Sequence, residues 1–267
     1  MEHVSKVYDP EGAAFVAVDD ASMHIAPGEL RVIVGPSGCG KSTFLNAIAG
    51  FHSISSGEIW LDDELLCGPN KPQAKPGADR VVVFQHNALF PWKTVLDNVT
   101  YGPIVQERLS KKEARDLGRE RMEQAGLAGL EDRYPSELSS GMQRRVEIVR
   151  ALVNDPKVLL LDEPFRGMDS LTKSVMHESL LEIFDKNKVT VMFITHDIDE
   201  AVFLGDKVSV MSTRPGRIKE TIEVDIPRPR DYHVLTSPRF RELMAGIHGE
   251  VEIEARKAFE AGEREMA

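Results

Sequence analysis

"VIVGPSGCGKSTFL", residues 32–45, decides how the rest of the chain is read. A short apolar run over 29–34 ends at Gly35, and a helical pattern opens at Ser42. Gly35, Gly40, Lys41 and Ser42 fit the spacing G-x-x-x-x-G-K-[ST] in the strand–loop–helix setting that the motif requires. Gly38 and Gly40 let the backbone curl so that successive N–H groups face inward as an anion nest. The following helix points its positive end at the same spot. Lys41 adds a point charge toward the β- and γ-phosphates, and Ser42 offers a hydroxyl to Mg²⁺. Gly35, Pro36, Ser37, Gly38, Cys39, Gly40, Lys41, Ser42 and Thr43 are therefore expected to line a bound nucleoside triphosphate. The bland alternative is a glycine-rich turn with an exposed lysine. It loses weight because strand, loop and helix are all present.

"KVLLLDEP", residues 157–164, supplies a second element. Its apolar strand delivers Asp162 and Glu163 to the carboxyl end, where open α/β sheets bind ligands. Asp162 is expected in the Mg²⁺ shell, and Glu163 beside an attacking water. Alone, such an acidic pair reads as a solvated loop start. With the phosphate loop it implies a Mg²⁺-dependent nucleoside triphosphatase, a description that GTPases, kinases, recombinases and transport ATPases share.

The bulk numbers fit. The 267 residues suffice for one large domain or for a core with a smaller subdomain. Apolar residues are 42% and charged residues 28%, an ordinary globular composition. A net charge of -10 argues against a general nucleic-acid surface and against simple adhesion to anionic lipid. No apolar run approaches the length of a spanning helix, and the start shows no signal-peptide pattern. Cys39 and Cys67 make no disulfide framework and read as small filler residues.

Further apolar runs at 80–85, 189–197 and 207–212 read as strands covered on both faces. Helical patterns at 42–50, 171–187 and 198–204 lie between the runs. The alternation predicts an α/β fold with a mainly parallel sheet. The stretch 86–155 has no comparable strand run. It carries a charged, amphipathic helix over 110–127 and another over 138–152, and reads as a helical subdomain inserted between strands. The expected organisation is a nucleotide-binding core at 1–85 and 156–226, the helical subdomain at 86–155, and an extension at 227–267. A last helix from about Pro238 places Phe240, Leu243, Met244, Ile247 and Val251 on one side. "PRPR" at 227–230 and "RPGR" at 214–217 read as a solvated link and a turn.

"LSSGM" at 138–142, followed by "QRRVEIVRAL" shortly before "LLLDEP", resembles the signature motif of ATP-binding cassette proteins. Other elements fall in the family's order. Gln85 after "RVVVF" matches the Q-loop, Asp169 in "FRGMDSLT" the D-loop, and His196 in "FITHDIDEA" the switch histidine. Tyr8 matches the aromatic that stacks on adenine, although Phe15 lies nearby. The resemblance covers residues 4–226. It implies a P-loop NTPase core with an antiparallel edge subdomain. Glu163 and His196 become the catalytic pair, while Ser42, Gln85 and Asp162 become the Mg²⁺ ligands.

The resemblance further implies an ATP-bound homodimer. Ser139, Ser140, Gly141 and Met142 of one subunit would close over the phosphates held by the other. The motif departs from the usual L-S-G-G-Q: Ser140 replaces a glycine, Met142 replaces the glutamine, and "QRR" stands where "RQR" is commoner. Ser140 would be strained only where that position needs a positive φ. The opening "MEHVSKVY" is short for the family's first strand.

"GADRVVVFQHNALFPWKTVLDNV" and "STRPGRIKETIEVDIPRPR" resemble the ATPase subunits of nitrate, sulfonate and taurine importers. That implies a peripheral subunit on the cytoplasmic face of the membrane, two permease partners and an extracytoplasmic solute-binding protein, with no nucleic-acid partner. Phe90 and Trp92 in "LFPW" would meet a coupling helix of the permease; for Trp92, packing inside the subdomain is an equal alternative. The competing class is a soluble cassette that dimerises on ATP for assembly or repair. The roughly 120 residues between Lys41 and Asp162 leave no room for the long coiled coil of a repair cassette.

Overall fold

The computed structural model describes residues 1–9, 12, 14–71 and 73–260, so residues 261–267 of the expected extension lie outside it. The chain begins with β1 (Glu2–Tyr8), β2 (Phe15–Ala21), β3 (Leu30–Val34), α1 (Lys41–Ala49), β4 (Ser56–Leu61) and β5 (Glu64–Cys67). β6 (Arg80–Val83), α2 (Val95–Val105), α3 (Lys111–Gln124), α4 (Ser140–Leu152), β7 (Val158–Asp162) and α5 (Ser170–Asn187) follow. The last elements are β8 (Thr190–Ile194), α6 (Ile198–Leu204), β9 (Lys207–Met211), β10 (Ile218–Glu223) and α7 (Pro238–Glu260). These form two compact units, one of 1–77 with 190–267 and one of 78–189.

In the first unit, β3 lies between β8 and β9, parallel to both, with Ile33 opposite Ile194 and Val34 opposite Val210. All five residues of β3 are buried, as are Val191 to Ile194 on β8. Burial on both faces is why these strands read as unbroken apolar runs rather than as alternating ones. β10 closes this edge antiparallel to β9. A separate antiparallel sheet has the order β2-β1-β4-β5. β1 pairs on both sides over Glu2–Tyr8. α7 turns Phe240, Leu243 and Ile247 inward and leaves Met244 and Val251 half-buried. Its buried Glu254 accepts bonds from the Thr213 N–H at 3.1 Å and from Lys219 and Lys257 at 3.0 and 2.8 Å.

"PRPR" is not solvated throughout. Arg230 is buried and donates to the carbonyls of Val202, Phe203 and Gly205 at 2.8 to 3.1 Å. It closes the carboxyl end of α6, where helical carbonyls lack intrahelical partners. The fork of donors on one guanidinium suits that task better than solvent does.

In the second unit, β6 and β7 pair in parallel, with Val83 opposite Leu161. α3 begins with a capping box in which Ser110 and Glu113 bond reciprocally. α2, absent from the sequence-based expectation, starts at Thr94, whose hydroxyl accepts the Asp97 N–H. Its fully buried Asn98 binds the preceding turn four times, to the Phe90 N–H and to the carbonyls of Phe90, Lys93 and Thr94, at 2.8 to 3.1 Å. That fixes the "LFPW" turn.

Gly57 in β4 has φ 89°, and a Cβ there would sit 2.3 Å from the His3 carbonyl oxygen. Gly57→Ala should lower stability by at least about 1–3 kcal/mol, the cost of a left-handed non-glycine residue. A shift of the urea midpoint to lower concentration checks this.

Candidate functional site

The phosphate loop joins β3 to α1. Lys41, 5% exposed, donates to the Gly35 and Pro36 carbonyls at 2.8 and 2.9 Å, so its ammonium spans the mouth of the loop. α1 has no side-chain cap: its N-cap is Gly40 at φ 103°, and its first turn holds no acid. The positive end of the helix thus carries no side-chain cap and no acid of its own, as suits an anion cradle. Space behind the loop is minimal. A Cβ at Gly40 would lie 2.6 Å from the Ala17 oxygen, and one at Gly35 would lie 2.7 Å from the Met211 oxygen. Ser37 and Gly38 are exposed, Pro36 and Thr43 are half-buried, and Ser42 is exposed at the start of α1. Cys39 points inward; burial pushes its thiol up despite the Lys41 ammonium 3.8 Å away. It is a packing residue.

His196 lies two residues beyond Ile194 at the end of β8, and it is exposed. The Thr195 N–H donates to the Ile33 oxygen at 3.2 Å, so this turn runs beside the strand that feeds the phosphate loop. Asp197 caps α6 by accepting the Glu200 N–H at 3.2 Å, as "DIDE" implies, and so occupies the cap position itself.

Tyr8 and Phe15 face each other across β1 and β2. Tyr8 bonds His52 Nδ1 through its hydroxyl at 2.9 Å, with the Lys6 ammonium 4.8 Å from its ring centre. Phe15, 39% exposed, carries the Arg214 guanidinium at 5.2 Å. Arg214 also donates to the Gly38 oxygen at 3.4 Å. The "RPGR" turn is therefore a wall of the phosphate loop and not merely a surface turn. Gly216 in that turn lies so close that a Cβ would meet the Cys39 oxygen at 2.1 Å. Sequence reasoning missed this wall. The available signal was a glycine flanked by two arginines just after a buried strand.

In the second unit, Gln85 and the pair Asp162–Glu163 leave the carboxyl ends of the adjacent parallel strands β6 and β7. Gln85, Asp162 and Glu163 are half-buried. Glu163 has φ 43°, a left-handed backbone that costs a non-glycine residue about 1–3 kcal/mol and concentrates at functional positions. Arg166 lies 3.2 Å from its carboxylate.

Ser139 caps α4, its oxygen accepting the Met142 N–H at 3.3 Å. A hydroxyl that accepts in this way keeps its own proton to donate elsewhere. Ser140 is the first helical residue and has no positive φ, so serine is unstrained there. Gly141 is tightly packed for another reason: a Cβ would lie 3.1 Å from the Thr172 methyl on α5, which would have to give by a few tenths of an ångström. Ser139, Ser140 and Met142 are exposed. Asp169 caps α5 and accepts the Thr172 N–H at 3.0 Å. The Thr172 hydroxyl, together with that N–H, holds the Asp169 carboxyl below the usual aspartate range.

Among the described residues no group of three or more His, Cys, Asp or Glu is placed to hold a metal alone. Ser42 in the first unit, and Gln85 and Asp162 in the second, each offer an oxygen donor of the hard type that Mg²⁺ takes. No helix among the described residues is long and apolar enough to cross a membrane.

The ABC transporter family profile matches residues 18–166. The chain belongs to that family. It is an ATP-hydrolysing cassette with a P-loop NTPase fold. The uncharacterized ABC transporter ATP-binding protein MJ0412 of Methanocaldococcus jannaschii is 41% identical over 247 residues, covering 92% of this chain and 90% of that one. The nitrate import ATP-binding protein NrtD of Synechococcus elongatus is 40% identical over 243 residues, covering 90% and 86%. The aliphatic sulfonates import ATP-binding protein SsuB of Bacillus cereus is 40% identical over 243 residues, covering 91% of each. The solved cassette MJ0796, a post-hydrolysis dimer bound to ADP and Pi, superposes with a TM-score of 0.70 at 29% identity, covering 85% of this chain and 98% of that one. The nitrate and sulfonate subgroup read from the sequence is thus supported, and the relatives' names speak for transport over assembly or repair.

Two outcomes are expected. Ser139→Ala should cost this ABC cassette about 1 kcal/mol, while Ser139→Asn keeps the cap and stays close to wild type; denaturant midpoints compare them. Because Asp169 is depressed in the folded state, its cap is intact above the unfolded aspartate value of about 3.9 and is lost as pH falls through the lower folded value. Amide exchange over 170–173, corrected for intrinsic rate, should rise in that acid range, and Asp169→Asn should flatten the profile.

Proposed function

We propose that this chain is the ATP-hydrolysing subunit of an importer for nitrate, a sulfonate, taurine or a related small solute. The observation that carries the reading is the pair of import ATPases at 40% identity, each matched over most of its length. The subunit would sit on the cytoplasmic face of the membrane against two permease subunits, with a solute-binding protein outside. Trp92, 71% exposed, stacks beside Phe90 at 5.7 Å on the turn that Asn98 fixes. That exposure favours docking of Trp92 onto a permease over packing inside the 86–155 subdomain.

In the catalytic cycle, the loop from Gly35 to Thr43 holds the triphosphate through inward N–H groups, and Lys41 exchanges its Gly35 and Pro36 carbonyls for phosphate oxygens. Ser42, Gln85 and Asp162 would hold Mg²⁺, which would supply neutralisation of the charge that develops on the phosphates. Glu163 takes a proton from the attacking water, and His196 orients that water against the γ-phosphate. Ser139 of a second copy donates its hydroxyl and Gly141 its backbone N–H to the same phosphates, with Ser140 and Met142 beside them and Asp169 at the dimer seam. Each charge-assisted bond of this kind contributes about 1.5–3 kcal/mol, so ATP acts as the clamp and hydrolysis releases it. Tyr8 offers a face for adenine.

Lys41→Ala and Glu163→Gln should each abolish Mg²⁺-dependent phosphate release; undiminished turnover in both would overturn the enzymatic reading. Ser139→Asn, which keeps the helix cap but has no hydroxyl, should lose ATP-driven dimerisation in light scattering. Purification from native membranes in detergent should yield one complex with two permease subunits, and a cassette that never co-purifies with a membrane subunit would overturn the importer assignment.

A further inference from the structure

α4 carries three charges on or beside its buried face. Arg144 and Glu147 pair at 2.6 Å with side chains only 7% and 2% exposed. Arg144 also donates to the Phe84 carbonyl at 2.7 Å and to the Gln85 carbonyl at 2.8 Å. The second oxygen of Glu147 accepts the Ala88 N–H, and Arg150 donates to the Ala88 carbonyl at 2.8 Å. Arg150 then lies 5.8 Å over the Phe90 ring. A second chain of bonds runs beside the first. The Asn87 amide donates to Gln143, whose own amide donates to the carbonyls of Pro135 and Leu138 at 2.8 and 3.2 Å. The carbonyls of Phe84, Gln85 and Ala88, the Ala88 N–H and the Asn87 side chain are therefore all held by one helix, and that helix begins at the signature turn. The "QR" of "QRR" supplies both grips, which gives this departure from the commoner order a physical role.

Charges this deeply buried are held only where each is paired and hydrogen-bonded. Their remaining bonds go to a loop backbone, so the loop cannot shift without leaving buried guanidinium N–H groups and a carboxylate oxygen unbonded. We infer that Gln143, Arg144, Glu147 and Arg150 form a latch that makes the Q-loop and the signature turn move as one body, with Glu147 the positioning residue for Gln85. The latch rests on the proposed reading of Gln85 as a ligand of the ATP-bound Mg²⁺.

Three variants of the full chain test it: Glu147→Gln, Arg144→Lys and Gln85→Ala. Arg144→Lys keeps a buried cation but cannot bond both carbonyls through one planar fork. Hydrogen exchange of the metal-free protein is the first readout. Glu147→Gln and Arg144→Lys should speed exchange together over 84–90 and 139–143 while β7 keeps its protection, the mark of local opening. A uniform rise, or none over 84–90, overturns the latch. The Mg²⁺ concentration for half-maximal ATPase is the second readout. It should rise about tenfold in Glu147→Gln, the lower end of the scale seen when an outer partner of a metal ligand is removed. It should rise no further when Gln85→Ala is added. If Gln85→Ala alone leaves Mg²⁺ dependence unchanged, the reading of Gln85 fails, and the exchange result alone then decides the latch. If Gln85→Ala shifts it and neither latch variant does, the latch fails.

Discussion

The first unit is organised around backbone that has no room to its rear. The Ala17 and Met211 carbonyls stand where side chains at 40 and 35 would go. Gly216 presses on the Cys39 carbonyl from another strand connection. β3 is fixed by parallel partners on both sides, so it delivers the loop to one place. Lys41, bonded to two loop carbonyls, keeps that curl in shape before any phosphate is present. Preorganisation of this kind avoids reorganising dipoles at the moment of reaction, which is where electrostatic catalysis gains most of its effect.

The second unit solves a different problem. Two turns must present polar groups without collapsing into ordinary helix starts. Ser139 and Asp169 are both N-caps, so each group is oriented by the helix it opens. The two helices meet where Gly141 faces the Thr172 methyl, and Asp169 is bonded to that same threonine. A change at any one of these three residues is therefore felt at the other two. Glu163 holds a left-handed backbone, a cost that the buried neighbours Pro164 and Phe165 help to enforce.

Most of the fold was legible because buried parallel strands announce themselves as apolar runs. The boundaries of β3, β7, β8 and β9 fall within the predicted stretches. The phosphate loop was legible for the same kind of reason, since its glycines answer local steric demands. What escaped was long-range. α2 has a proline inside it, which blunts its helical pattern. Arg230 and Arg214 look like solvated charges until the carbonyls they reach are known. Glu147 gave a fainter signal: with Arg144 it puts charge on a helix face otherwise occupied by Ile148 and Ala151. The tight fit at Gly141 could not be read as backbone freedom, because it comes from a methyl group on another helix.

Asn98 has a consequence for encounter rather than for chemistry. Its four bonds freeze the turn that lifts Trp92 into solvent. The conformational freedom of that turn is lost during folding, before any partner arrives. Association through the indole therefore carries a smaller ordering penalty than docking through a floppy loop would. Selectivity then falls to the shape of the receiving groove, since a rigid knob rejects what does not fit instead of adapting to it.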